Sequence, residues 1–221
     1  MKLLFKFITI SFLSLLIMSC NSDSSKKTTD SDSTVPQEIT GDTKVIPDTS
    51  HNETGLVIPM NSMMNRMKGV NLTGDFDIDF ANLMIEHHQG GVEMSGLELN
   101  EGKDETMKAM AQKIMNAQKK EIDELREFVK TYKPSNMVHG EGELKKSLET
   151  MESNRKIMSM SGDPDKDFAS MMIMHHGDGI NMAKMQVQHG MSATLKQMAK
   201  KSIDEQTKEI GEFKKWLAGR Q

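Results

Sequence analysis

Cysteine is almost missing from this chain of 221 residues, Cys20 being the only one. The body that follows it has no thiol and no disulfide, so its stability must come from a packed core. Aromatic residues are also scarce, at 5%. An excess of positive charge is absent: the net charge is -4 and the sequence pI is about 6.0, which leaves no basic face for nucleic acid. No window of apolar and polar alternation is long enough for a strand. The one long apolar run, Ile8 to Met18, falls short of the roughly 20 residues that span a bilayer.

That run has a different use. Lys2 and Lys6 precede it and the segment closes on Ile-Met-Ser-Cys, the pattern of a lipoprotein signal peptide. Residues 1–19 are expected to be removed and Cys20 to become a lipidated N-terminus, placing the protein in the cell envelope. Residues 20–55, rich in Ser, Thr and Asp and without apolar period, read as a disordered tether. The folded part is then 56–221.

Methionine is the residue in surplus. There are 22, of which 20 lie between Met60 and Met198, filling space that Leu and Phe usually occupy. The chain also repeats itself: a shift of 88 lays one half on the other without a gap. Gly74, Asp75, Asp77, Asp79 and Phe80 meet Gly162, Asp163, Asp165, Asp167 and Phe168. Met84, His87, His88, Gly91 and Met94 meet Met172, His175, His176, Gly179 and Met182. Gln118 and Glu121 meet Gln206 and Glu209. Repeat one is 56–132 and repeat two 144–220.

Within each repeat the apolar period is helical. A histidine helix is predicted from an Asp75 or Asp163 cap to about Asn100 or Gln188, with Pro164 in the first turn of the second copy. A long helix follows, capped by Asp104 or Ser192 and ending before Pro134 or at Gly219. A short lead helix precedes each pair. Two such hairpins predict an all-α antiparallel four-helix bundle.

At 100° per residue, Phe80, Met84, His87, Gly91 and Met94 share one helix face, and Phe168, Met172, His175, Gly179 and Met182 repeat it. His88 and His176 sit at its edge. Imidazole suits copper, zinc, nickel or iron, whereas thioether sulfur selects soft ions, above all Cu(I). Both donor types on one face of a thiol-free exported domain point to copper. Met171, Met174 and Met185 flank only the second copy, which is expected to make that site the softer one. Met60, Met63, Met64 and Met67 are either lid packing or further donors. Gln118, Glu121, Gln206 and Glu209, close to the apolar face of the partner helix, are candidates to hold the imidazole N–H groups from behind.

The run of Asp and Phe, then Met, His-His, Gly and Met, followed by a helix with Gln-x-x-Glu-Ile, resembles the domain of unknown function 305 family over roughly 56–221, including its CopM-like exported copper-binding members. The resemblance implies a ferritin-like bundle that binds copper without catalysing a reaction, in the periplasm or on the cell surface. Its implied ligands here are Met84, His87, His88, Met94, Met172, His175, His176 and Met182. The implied partner is copper; a membrane partner, through the lipid, is expected from the signal ending at Cys20, in which this chain departs from the family. Two alternatives belong to other classes. A di-metal carboxylate oxidoreductase needs Glu-x-x-His, which does not occur, and haem held by His and Met is compatible with the spacing.

Overall fold

A computed structural model of the chain describes residues 55–134 and 140–220, all within the unit Pro47–Gln221. The leader, Cys20, the tether up to residue 54, His51 and His139 lie outside the described residues. The described part is all-α: α1 (Val57–Gly69), α2 (Phe76–Glu101), α3 (Glu105–Thr131), α4 (Glu141–Lys156), α5 (Pro164–His189) and α6 (Ala193–Ala218), with no strand among the described residues. None of these helices is long and apolar enough to cross a membrane.

The helix starts follow the local chemistry read from the sequence. Asp75 Oδ1 accepts from the backbone N–H of Asp77 and Ile78, and Asp163 Oδ1 does so from Asp165 and Lys166. Asp104 and Ser192 cap α3 and α6 in the same manner. Such a cap is worth about 1 kcal/mol. Pro164 occupies the first turn of α5, where its missing N–H costs no hydrogen bond. The histidine helices end at Glu101 and His189, each one residue beyond its expected limit.

Packing is layered. α2 lies along α3, α5 along α6, and the two pairs meet through α2 against α5. α1 covers α2, α4 rests on α5, and these two lead helices touch. On the other side α3 and α6 make little contact, and a cleft of about 300 Å³ lies between them. The α1 stripe of Met60, Met63, Met64 and Met67 is fully buried. Met63 packs so closely on Gly90 that a Cβ there would stand 2.6 Å from its sulfur. The lead-helix methionines are thus packed into the core.

Two buried aspartates per repeat tie the parts together. Asp79, at 0% exposure, accepts from the N–H and hydroxyl of Thr73 and from Gly74 N–H. Asp167 does the same with Ser161 and Gly162. Gly74 and Gly162 adopt φ of 87° and 83°, a left-handed conformation that favours glycine. Asp77 and Asp165 reach across instead. Asp77 on α2 accepts from the N–H groups of Met191 and Ser192 in the α5–α6 link, and Asp165 on α5 accepts from Lys103 and Asp104 in the α2–α3 link. Each histidine helix thereby holds the turn of the opposite pair, fixing the α2–α5 register.

Candidate metal centre

That register brings all four histidines of the two pairs to one place. His87, His88, His175 and His176 are each exposed by 1% or less. His87 and His175 stack with ring centroids 3.8 Å apart and planes inclined by 20°. The adjacent pairs, His87 with His88 and His175 with His176, have centroids 6.0 and 5.8 Å apart. The sequence expectation gave each hairpin its own face. In the structure the two pairs meet in the α2–α5 seam.

The glycines make this approach feasible. A Cβ at Gly91 would collide with Gln118 Oε1 and stand 2.9 Å from His175 Cε1. A Cβ at Gly179 would stand 2.7 Å from Gln206 Oε1 and 3.0 Å from His87 Cε1. Gly91 and Gly179 thus admit the imidazole of the opposing helix and a glutamine of the partner helix. Glu121 Oε2 lies 2.9 Å from His88 Nε2, and Glu209 Oε2 lies 3.0 Å from His176 Nε2, the latter out of line for a well-formed hydrogen bond. Two of the four imidazoles thus have a carboxylate against them, Glu121 on His88 and Glu209 on His176, while Gln118 and Gln206 crowd Gly91 and Gly179, where His175 and His87 also approach.

Proton positions follow from the partners. His175 Nε2 sits 2.9 Å from the backbone oxygen of His87, which can only accept, so the proton is on Nε2 and Nδ1 keeps its lone pair. Glu121 similarly places the His88 proton on Nε2. Six imidazole nitrogens have no hydrogen-bond partner: Nδ1 and Nε2 of His87, Nδ1 of His88, Nδ1 of His175, and Nδ1 and Nε2 of His176. Gln118 Oε1 and Gln206 Oε1 are likewise unpaired. Leaving a buried polar atom unsatisfied costs about 1–3 kcal/mol, so a cluster of this size is expensive unless something occupies it.

The electrostatics keep the His87 and His175 rings neutral. Burial, and then the neighbouring His175, pulls the His87 imidazole well below its usual value. Burial and the nearby His176 bring His175 down to about 3. Burial pushes the Glu121 carboxyl up, but the His88 hydrogen bond and the charge of Lys201 outweigh it and hold Glu121 below the ordinary range. Glu209 is held down in the same way by His176 and Lys113. The result is a neutral, stacked His87–His175 pair flanked by two imidazoles that have carboxylates behind them. That state suits an imidazole ligand and is poorly matched to proton transfer near pH 7.

The methionines divide. Met84 lines a cavity of about 10 Å³ together with His88, Glu121 and Met198. Met94, Met172 and Met182 are sealed in the apolar core, and Met171 is 2% exposed. Met174 and Met185 are half-buried against that core. Met198, the counterpart of Met110 under the 88-residue shift, is a donor that no helix-face pattern on the histidine helices points to. Its place on α6 opposite His88 depends on how the hairpins dock. Among the described residues no three His, Cys, Asp or Glu side chains form a group ready to hold an ion. His189 stands apart, with Nε2 2.8 Å from Glu143.

The family model described as a domain of unknown function (DUF305) matches residues 24–129 and 77–217. The matches end 88 residues apart (217 minus 129), the shift that superimposes the two repeats, so the same model fits the chain in two registers. Comparison with curated proteins and with solved structures finds no match.

Proposed function

The chain belongs to the DUF305 family, a domain of unknown function, and from that premise we propose that it is a CopM-like, exported copper-binding protein with a ferritin-like four-helix bundle of two duplicated hairpins. It takes up Cu(I), with Cu(II) or Ag(I) as further ions, and sequesters or carries copper for homeostasis and resistance. Cys20 and the leader make it a lipid-anchored protein of the periplasm or cell surface. Its partners are copper and the membrane.

The observation that carries this reading is the set of buried imidazole nitrogens without a hydrogen-bond partner, of which only His176 Nε2 has a carboxylate close by, in a thiol-free, methionine-filled core. Neutral imidazole with thioether nearby selects a soft ion over Zn(II) or Fe(II). Glu121 and Glu209 behind His88 and His176 are the carboxylates that commonly orient a metal-binding histidine. A haem between the α2 and α5 histidines has no room, because the His87 and His175 rings are in contact. A carboxylate di-metal oxidase lacks its Glu-x-x-His pairs.

The test is retention. The purified chain should hold Cu(I) or Ag(I) against a chelator that strips Zn(II) and Fe(II). Equal retention of zinc and Cu(I) would remove the thioether argument, and no retention of any ion would remove the reading.

A further inference from the structure

The repeat is symmetric in its histidines but not in the space beside them. Next to His88 the small cavity has Met84 on the same helix, Glu121 from α3 and Met198 from α6. Its volume of about 10 Å³ is close to the least that holds one water-sized body, roughly 10–15 Å³. Leu125 and Ser202 also form its walls. Under the 88-residue shift Leu125 becomes Phe213 and Ser202, one repeat further from the start, answers to Ile114. Phe213 and Ile114 are buried at 0% and 1%, and the Phe213 ring centroid is 6.1 Å from that of His176. Beside His176, larger apolar side chains hold the positions that in the first copy border open space.

Resting on the copper reading above, we propose that the ion is seated on one side only, between Met84, His88, Glu121 and Met198. Two thioethers and one imidazole make a soft donor set, and His88 supplies an unpartnered, buried Nδ1. Glu121 is the compensating charge: a monovalent ion beside one carboxylate leaves no net charge in the interior, whereas a divalent ion leaves one positive charge uncompensated. Glu121 and Ser202 also line the α3–α6 cleft, so the seat borders a cavity open to solvent. Lys201, 3.8 Å from Glu121 Oε1 and 56% exposed at its side chain, also pairs with Glu205 at 3.3 Å, so it keeps a carboxylate partner when a cation takes its place at Glu121. The softer site therefore belongs to the first repeat, although Met171, Met174 and Met185 enrich the second.

Silver titration of the full chain, read by native mass spectrometry and by competition with a soluble chelator, tests this directly. Met198 and Met110 are equivalent in the repeat and both half-buried, so a Leu at either is a matched change. Met198→Leu should weaken the tight Ag(I) by about tenfold or more, while Met110→Leu leaves it unchanged. Leu125→Phe with Ser202→Ile, which gives the first copy the side chains of the second, should remove the tight ion while the circular dichroism spectrum stays helical. If that variant does not fold, the Met198 and Met110 comparison decides alone. Equal effects of the two methionine changes, or a filled variant that keeps its ion, would overturn the one-sided seat and leave the copper reading standing. A parent chain that binds no silver would overturn both.

Discussion

His87 and His175, 88 residues apart in the chain, lie face to face with their ring centroids 3.8 Å apart. Such a pair needs both rings neutral and both backbones close. Burial provides the first condition and Gly91 and Gly179 the second. A double-mutant cycle with His87→Leu and His175→Leu in the metal-free chain should give a coupling of about 0.5–1.5 kcal/mol. Chemical denaturation measures it, and strict additivity would mean that the rings do not touch in solution.

Because the two histidine pairs share one place, their removal should not halve binding twice. His87→Ala with His88→Ala is expected to abolish the tight class of silver, since His88 is the seat's imidazole. His175→Ala with His176→Ala should weaken it while leaving an ion bound. Isothermal titration separates these outcomes, and equal half-losses would restore two independent sites.

The glycine at the seam and its neighbour outside it should respond in opposite directions. Gly91→Ala forces a methyl into Gln118 and to 2.9 Å from His175, an overpacking expected to cost about 1–3 kcal/mol. Gly177, on α5 two residues from His175, has nothing within 4 Å of a built Cβ, so Gly177→Ala should add about 0.5–1 kcal/mol through helix propensity. Thermal melts of the metal-free variants give both signs.

One acid carries a pH signature remote from the histidines. Glu98 is 1% exposed, and burial, then a hydrogen bond with Asp165, raises its carboxyl to about 8 from 4.5. In the other repeat the equivalent position is Gln186, which donates to Asp77 at 2.6 Å, and Glu98 must keep its proton to play that part. From pH 4.5 to about 8 the folded state holds a proton that the unfolded state has lost. This group therefore makes stability fall as pH rises through that window. Glu98→Gln should remove that fall, and urea midpoints measured at pH 5 and pH 8 would show a smaller difference than in the parent chain. An unchanged difference would place the proton elsewhere.

Much of this was legible in the residues. Asp75, Asp104, Asp163 and Ser192 mark helix starts because capping is a contact between neighbours in sequence, and the 88-residue shift is visible without any structure. The histidine face was also readable, since 100° per residue places His87 with Met84 and Gly91 whatever lies opposite. The pairing of Glu121 with His88 was within reach for the same reason, as α2 and α3 are joined by a short link that makes them neighbours, whereas the approach of Gln118 to His175 depends on α5.

What the sequence determined by itself, then, is everything set by local geometry: six helices, their caps, the repeat and the donor-bearing stripes. What tertiary structure decided is which stripe faces which. Asp77 and Asp165 fix the register of α2 against α5 by gripping the opposite turns, and that docking merges two histidine pairs into one centre and brings Met198 from α6 to His88. The difference between Leu125 and Phe213 gains meaning only there. A side chain's size is written in the sequence, but the space it fills or leaves beside a histidine is made by residues from three other helices, and their distances are not a property of any one of them.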